Sequence, residues 1–308
     1  ISFGTDVEVS GDIGLTTEDG NITIGKRVYS TDGSILIEAA TKGEAAEKGD
    51  ISIGFTGSDS VDAVSAYKDV TLTTGLGKVL IDGGTTTMTG DIDVAAVSKE
   101  YVTGMGNSNI IIYEHGDIDS KKGSVSLEAT RGDIVVTDRI HAEKSLNAAT
   151  IDKGNISFER AVSVSGDVNL KTETGDITVG HRIQSSDGNI NVTVGNGDIK
   201  VTDEVTAAGS VVAKAETKGD IDLQGKTVGS SVTVTTGEGD VMVAGVASTE
   251  GDVSLASGKG NITANGIISS AKDILADASE GNITFNADAD AGQAITAKAG
   301  GDITINAA

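Results

Sequence analysis

One short unit recurs along this chain and limits what it can fold into. It reads Gly, then Asp, Asn or Ser, then Ile or Val, any polar residue, and a second aliphatic. Examples are "GDIGL", "GNITI", "GSILI", "GDISI", "GSVSL", "GDIVV", "GDVNL", "GDITV", "GDIKV" and "GDITI". The spacing alternates between about 9 and about 12 residues, so two interleaved columns emerge, each with a step of 20 to 22. The first column starts at Gly123, Lys144, Gly166, Gly188, Gly209, Ser230, Gly251 and Lys272. The second starts at Gly132, Gly154, Gly175, Gly197, Gly219, Gly239, Gly260, Gly281 and Gly301. A weaker third column lies in the longer gap, at Val28, Ile118, Ile140, Val162, Ile183, Val205, Val228, Val246 and Ile267.

Alternation within each unit, as in Ile22, Thr23 and Ile24, gives a strand with one dry and one wet face. Parallel sheets covered by helices read instead as unbroken apolar runs, and no segment here has a helical period long enough to cover anything. The sheet must therefore close on itself. Three strands per turn of about 21 residues describe one rung of a parallel β-helix. First strands near residues 11, 33, 68, 90, 123, 144, 166, 188, 209, 230, 251, 272 and 292 predict about thirteen rungs. At about 4.8 Å per rung they would stack into a rod roughly 60 Å long. Composition agrees. A complete absence of Pro in 308 residues fits a chain whose backbone N–H groups are nearly all needed in ladders. Aromatics make up 3% of the chain, so the core is a narrow one of Ile, Val, Leu and Ala.

The repeat is also copied at long range. Residues 1–37 and 156–192 share twenty of thirty-seven positions at a constant offset of 155, which is how a solenoid is lengthened. The chain reads as one continuous β-helix over residues 1–308, a window of a longer protein, with a loop-decorated part at 38–117 and a regular shaft at 118–308. Three insertions interrupt the decorated part, at residues 41–48, 55–62 and 97–107. The first and third leave from the same edge, two rungs apart. Loops that break a regular scaffold are where function concentrates, and all four tyrosines fall within the first 113 residues. The candidate ligand-binding patch is therefore Tyr67, Lys99, Tyr101 and Tyr113, with stacking surfaces suited to sugar or peptide. The alternative is neutral drift at surface corners, since long surface loops cost little.

Other chemistry finds less support. With no Cys there is no disulfide framework and no thiolate site. A net charge of −23 argues against nucleic acid, which needs clustered Lys and Arg. No run of about 18 apolar residues offers a membrane span. Asp176, Asp198, Asp220 and Asp240 occupy successive rungs and could hold Ca²⁺ between stacked carboxylates. The same column also accepts Asn21, Lys78, Asn155, Asn261 and Asn282, which favours a turn role and leaves Ca²⁺ the weaker reading. The "NIT" and "NIS" sequons sit at those same corners and read as by-products of the repeat. His115, His141 and His181 have no metal-ligand spacing. Catalysis is not expected, because carboxylates are spread evenly and do not converge beside aromatic sugar subsites.

The two-column repeat, rich in Ser, Thr, Asn and Gly and free of Cys, resembles the shaft of filamentous-haemagglutinin-type bacterial surface adhesins and their "GDI"-rich relatives. The resemblance runs from Gly11 to Ile305. It implies a right-handed parallel β-helix in a very large exported surface protein, secreted through an outer-membrane partner, with no catalytic residues in the shaft. The expectation is a non-catalytic extracellular shaft that gives reach and displays binding loops. Its partner would be a glycan or protein on a host or neighbouring cell. The alternative is a filament or sheath subunit whose like copies stack end to end. Neither reading needs a cofactor, nucleic acid or membrane insertion.

Overall fold

The structure, a computed structural model, describes residues 1–40, 49–54, 62–75, 77–96, 109–113 and 117–306. Its contacts divide it into two units, residues 1–164 and 165–308. Each is a parallel β-helix with no helix among its described residues. The first contains six first-column strands: Ile13–Thr16, Ile35–Ala39, Val70–Thr74, Ile92–Ala96, Val125–Arg131 and Leu146–Lys153. The second contains seven: Val168–Thr174, Ile190–Asn196, Val211–Lys218, Val232–Glu238, Val253–Lys259, Ile274–Ala278 and Ile295–Ala299. All thirteen start where the repeat places them.

Register follows the aliphatic positions. In residues 165–308 the first column stacks Val168, Ile190, Val211, Val232, Val253, Ile274 and Ile295. The second stacks Ile177, Ile199, Ile221, Val241, Ile262, Ile283 and Ile303. Slipping any strand by one residue would turn its aliphatics to water, so burial locks the register. Each fully buried Ile or Val contributes about 1.5–3 kcal/mol, which makes this repeated stack the main source of stability in both units.

The corners are held from inside by hydroxyls. Ser30 Oγ donates to Gly11 O at 2.7 Å on the rung before and accepts from Gly33 N–H at 2.9 Å. Ser120 does the same with Gly90 O and Gly123 N–H, and Ser185 with Gly166 O and Gly188 N–H. Each serine is buried, yet both hydroxyl functions are satisfied, so it ties the end of a third strand to the next corner at little cost. At the other long corner Thr236 and Ser257 donate to Gly219 O and Gly239 O, both at 2.7 Å.

Two third-column positions differ from the sequence reading by one residue. The inward residue of Ile221–Gly229 is Thr227, in register with Val205 and Val246, and Val228 is half-exposed. Farther on, Ile268 is buried whereas Ile267 is 59% exposed. Third strands carry no Gly-Asp header, so nothing in the sequence marks which of two adjacent β-branched residues turns inward. Thr227 Oγ1 has no hydrogen-bond partner, and neither does Thr85 Oγ1, the equivalent atom between Val64 and Ile118. A buried hydroxyl left unpaired costs about 1–3 kcal/mol. Thr227→Val keeps the shape and removes that cost, so we expect it to raise unfolding stability by about 1 kcal/mol in a urea titration. A loss of stability would mean that the hydroxyl does find a partner.

Candidate functional site

Seen from outside, the wall of each unit is a set of ladders at rung spacing. The acidic residue after each second-column glycine has a defined task. Asp198 N–H donates to Asp176 Oδ1, Asp220 N–H to Asp198 Oδ1 and Asp240 N–H to Asp220 Oδ1, each at 2.8 Å. Asn261, Asn282 and Asp302 continue the same ladder at 2.7, 3.0 and 2.7 Å. Each side-chain oxygen caps the backbone of its counterpart on the next rung, which explains why Asn substitutes for Asp there: it offers the same acceptor oxygen, and Asn261 Nδ2 also donates to Asp240 Oδ1 at 3.1 Å. Charge–charge repulsion along the stack is the cost, about 1 kcal/mol per neighbouring pair in a water-like dielectric. No group of three or more His, Asp and Glu among the described residues could hold a metal ion.

Cations are set mostly one rung away from their acids. Arg27 pairs with Asp6 at 3.5 Å, Arg131 with Asp152 at 2.5 Å, Lys259 with Glu238 at 2.5 Å and Lys298 with Asp277 at 3.4 Å. Arg139 grips Asp117 with two nitrogens, at 2.8 and 3.3 Å. The hydrogen bond and charge of Lys259 lower the Glu238 carboxyl below its ordinary value. Exposed pairs of this kind are worth roughly 0–1 kcal/mol each. Their effect is to neutralise the wall locally.

Asp93 is the exception. Its carboxyl is raised by desolvation and then by the neighbouring charges of Asp91 and Asp69. A raised folded-state value means that folding favours the protonated form. The charge therefore costs stability at neutral pH, and the cost fades as pH falls through the raised value. The side chain sits at the surface, so screening keeps the cost to about 0.5 kcal/mol or less. We expect Asp93→Asn to be slightly more stable than the parent at pH 7 and indistinguishable from it below the ordinary carboxylate range. Thermal midpoints at the two pH values check this.

The insertions lie almost wholly outside the described residues, as do Lys99, Tyr101 and His115; the described residues fix where the inserted segments depart. Residues 41–48 follow Ala40, and residues 97–107 follow Ala96. Ala39 and Ala96 both pair with Thr74, so the two insertions leave the same corner two rungs apart. The intervening segment after Gly54 leaves from the corner between second and third strands. Tyr113 belongs to that second corner, in register with Asp82 and, through it, Gly54. Tyr67 lies at a different corner, just after the third strand Asp62–Ala66, where its N–H donates to Ser30 O. Tyr67 and Tyr113 are 45% and 46% exposed, so each offers a ring face to solvent, but the scaffold points them from separate corners. Met88 succeeds Tyr67 on the next rung and is also exposed. Sequence reasoning missed Met88 because a single Met beside a regular strand carries no pattern.

Asp119 is the one described carboxylate with a buried, unpartnered oxygen, Oδ1. It stands between Thr86 and His141 on the rungs to either side. Its strand position is an ordinary outward one, which no sequence pattern distinguishes.

The comparisons with known proteins bear on the second unit most directly. Residues 183–308 match the family model described as Toastrack DUF4097. That stretch takes in most of the rungs of residues 165–308, and its repeats are the stacked three-strand turns described above. No curated protein and no solved structure matches the chain. The match and the architecture together describe a repeat β-solenoid of structural, scaffold character.

Proposed function

We propose that this chain is a stretch of the shaft of an extracellular adhesin or surface fibre, non-catalytic, giving reach and displaying the inserted segments. The observation that carries this reading is the contrast between wall and insertions. Polar groups along the wall of each unit form ladders between rungs, with side-chain oxygens capping backbone N–H groups and cations neutralising neighbouring rungs. The sequence departs from that regularity at 41–48, 55–62 and 97–107, and the first and third of these leave one corner two rungs apart. Two segments about 10 Å apart on one edge could grip a ligand together. The haemagglutinin-type resemblance supports the surface location, and the acidic exterior of a −23 chain keeps such a shaft soluble and discourages lateral sticking.

The test is electron microscopy of the native full-length material, with its polypeptide mass measured in parallel. Rods of one fixed length, matched to one long polypeptide, are expected. Deleting 41–48 and 97–107 together should then abolish cell binding while leaving the rods unchanged. Fibres of variable length built from short subunits would overturn the proposal in favour of a self-assembling filament.

A further inference from the structure

In residues 165–308 the corner between second and third strands is built from three residues on five rungs: 180–182, 202–204, 224–226, 265–267 and 286–288. On the rung Val241–Ser248 it has two. Leu223, Val243 and Ala264 are in register before the corner, and Thr227, Val246 and Ile268 after it, leaving only Ala244 and Gly245 between. The shortened corner is drawn toward the core while its neighbours keep full length. The result is a notch of about 410 Å³, lined by the segment Ala244 to Ala247 together with Lys226, Ile267 and Ser269. That volume falls within the range of small-molecule sites.

Charge gives the notch a preference. The residue just before each third strand forms a column: Arg182, Glu204, Lys226, Gly245, Ile267 and Asp288. The signs alternate through Arg182, Glu204 and Lys226, and the next place, where an acid would continue the series, is a glycine without a side chain. Lys226 makes no ion pair among the described residues. Beyond the vacant place stands Ile267, an aliphatic that is exposed and lines the notch.

We propose that this notch is a binding site for a small apolar anion, a carboxylate or sulfonate on a compact hydrophobic body. The anionic head takes the vacant acidic place beside Lys226 Nζ, and the body packs against Ala247 and Ile267. A cation is disfavoured by Lys226, and a highly charged anion such as a phosphate ester finds only one positive partner.

The test uses the 308-residue chain and 8-anilinonaphthalene-1-sulfonate as the probe, titrated by fluorescence. One saturable site per chain is expected. Lys226→Glu should weaken it by about tenfold or more, as loss of a charged partner does, and Lys226→Arg should retain it. Inserting one Asn between Ala244 and Gly245 restores the three-residue corner found on the other rungs and should remove the site. Far-UV circular dichroism confirms that each variant keeps the parent fold. Naphthalene-2-carboxylate should compete, and naphthylmethylammonium should not. Absence of saturable binding, equal binding by parent and variants, or displacement by the ammonium compound would each overturn the proposal.

Discussion

Gly219→Ala is expected to cost about 3 kcal/mol or more and to lower the urea midpoint sharply. Two costs add. Gly219 has φ +151°, a backbone conformation that L side chains rarely adopt, and such strain is worth about 1–3 kcal/mol. An added Cβ would also press into the carbonyl oxygen of Gly197 one rung below. Overpacking against atoms that cannot yield costs a further 1–3 kcal/mol or so. The backbone there cannot move aside, because Asp220 N–H is tied to Asp198 Oδ1 and Gly219 N–H to Glu238 O. Gly14→Ala is the control. It faces open space, with nothing within 4 Å of the added carbon, and should stay within about 0.5 kcal/mol of the parent. If the two variants unfold alike, the glycine column is a legacy of copying and not a steric requirement.

This difference between glycines shows how much of the molecule could be read from its sequence. The Gly-Asp header states two facts at once: the backbone must turn where only glycine fits, and the next side chain must offer an oxygen to the following rung. Both long columns carry that header, so their strands fall where the repeat places them. Third strands lack it, and there Thr227 and Ile268 take the inward places that the repeat assigns to Val228 and Ile267. The serine staples were hidden for another reason. Ser30, Ser120 and Ser185 look like surface residues in a strand, and only the carbonyl one rung below shows that they are buried and bonded. The notch was illegible because its cause is a missing residue, which no motif records. Of the candidate patch, sequence identified exposed aromatics at Tyr67 and Tyr113 but could not assign them to separate corners, because corner identity depends on the third column.

Phe285→Ala should be the most damaging change in the core of residues 165–308, at about 4 kcal/mol. Phe285 is buried in a column otherwise filled by aliphatics, with Ala264 directly before it and Ile305 after it. A ring fits at this place because the preceding rung offers only a methyl group, so large and small residues compensate between neighbouring rungs. Truncating the ring therefore leaves a cavity beside another small residue, Ala264. The same logic predicts strong coupling. Ala264→Phe alone would overpack against Phe285 and cost about 1–3 kcal/mol or more. The double exchange, Ala264→Phe with Phe285→Ala, keeps the total volume and moves the ring by one rung. It should recover at least about 2 kcal/mol relative to the sum of the single changes, a coupling of the size found for residues in contact. Denaturant unfolding of the four proteins gives the cycle. Additive losses would mean that each rung packs by itself; recovery would show that the unit of core design in this solenoid is the pair of adjacent rungs.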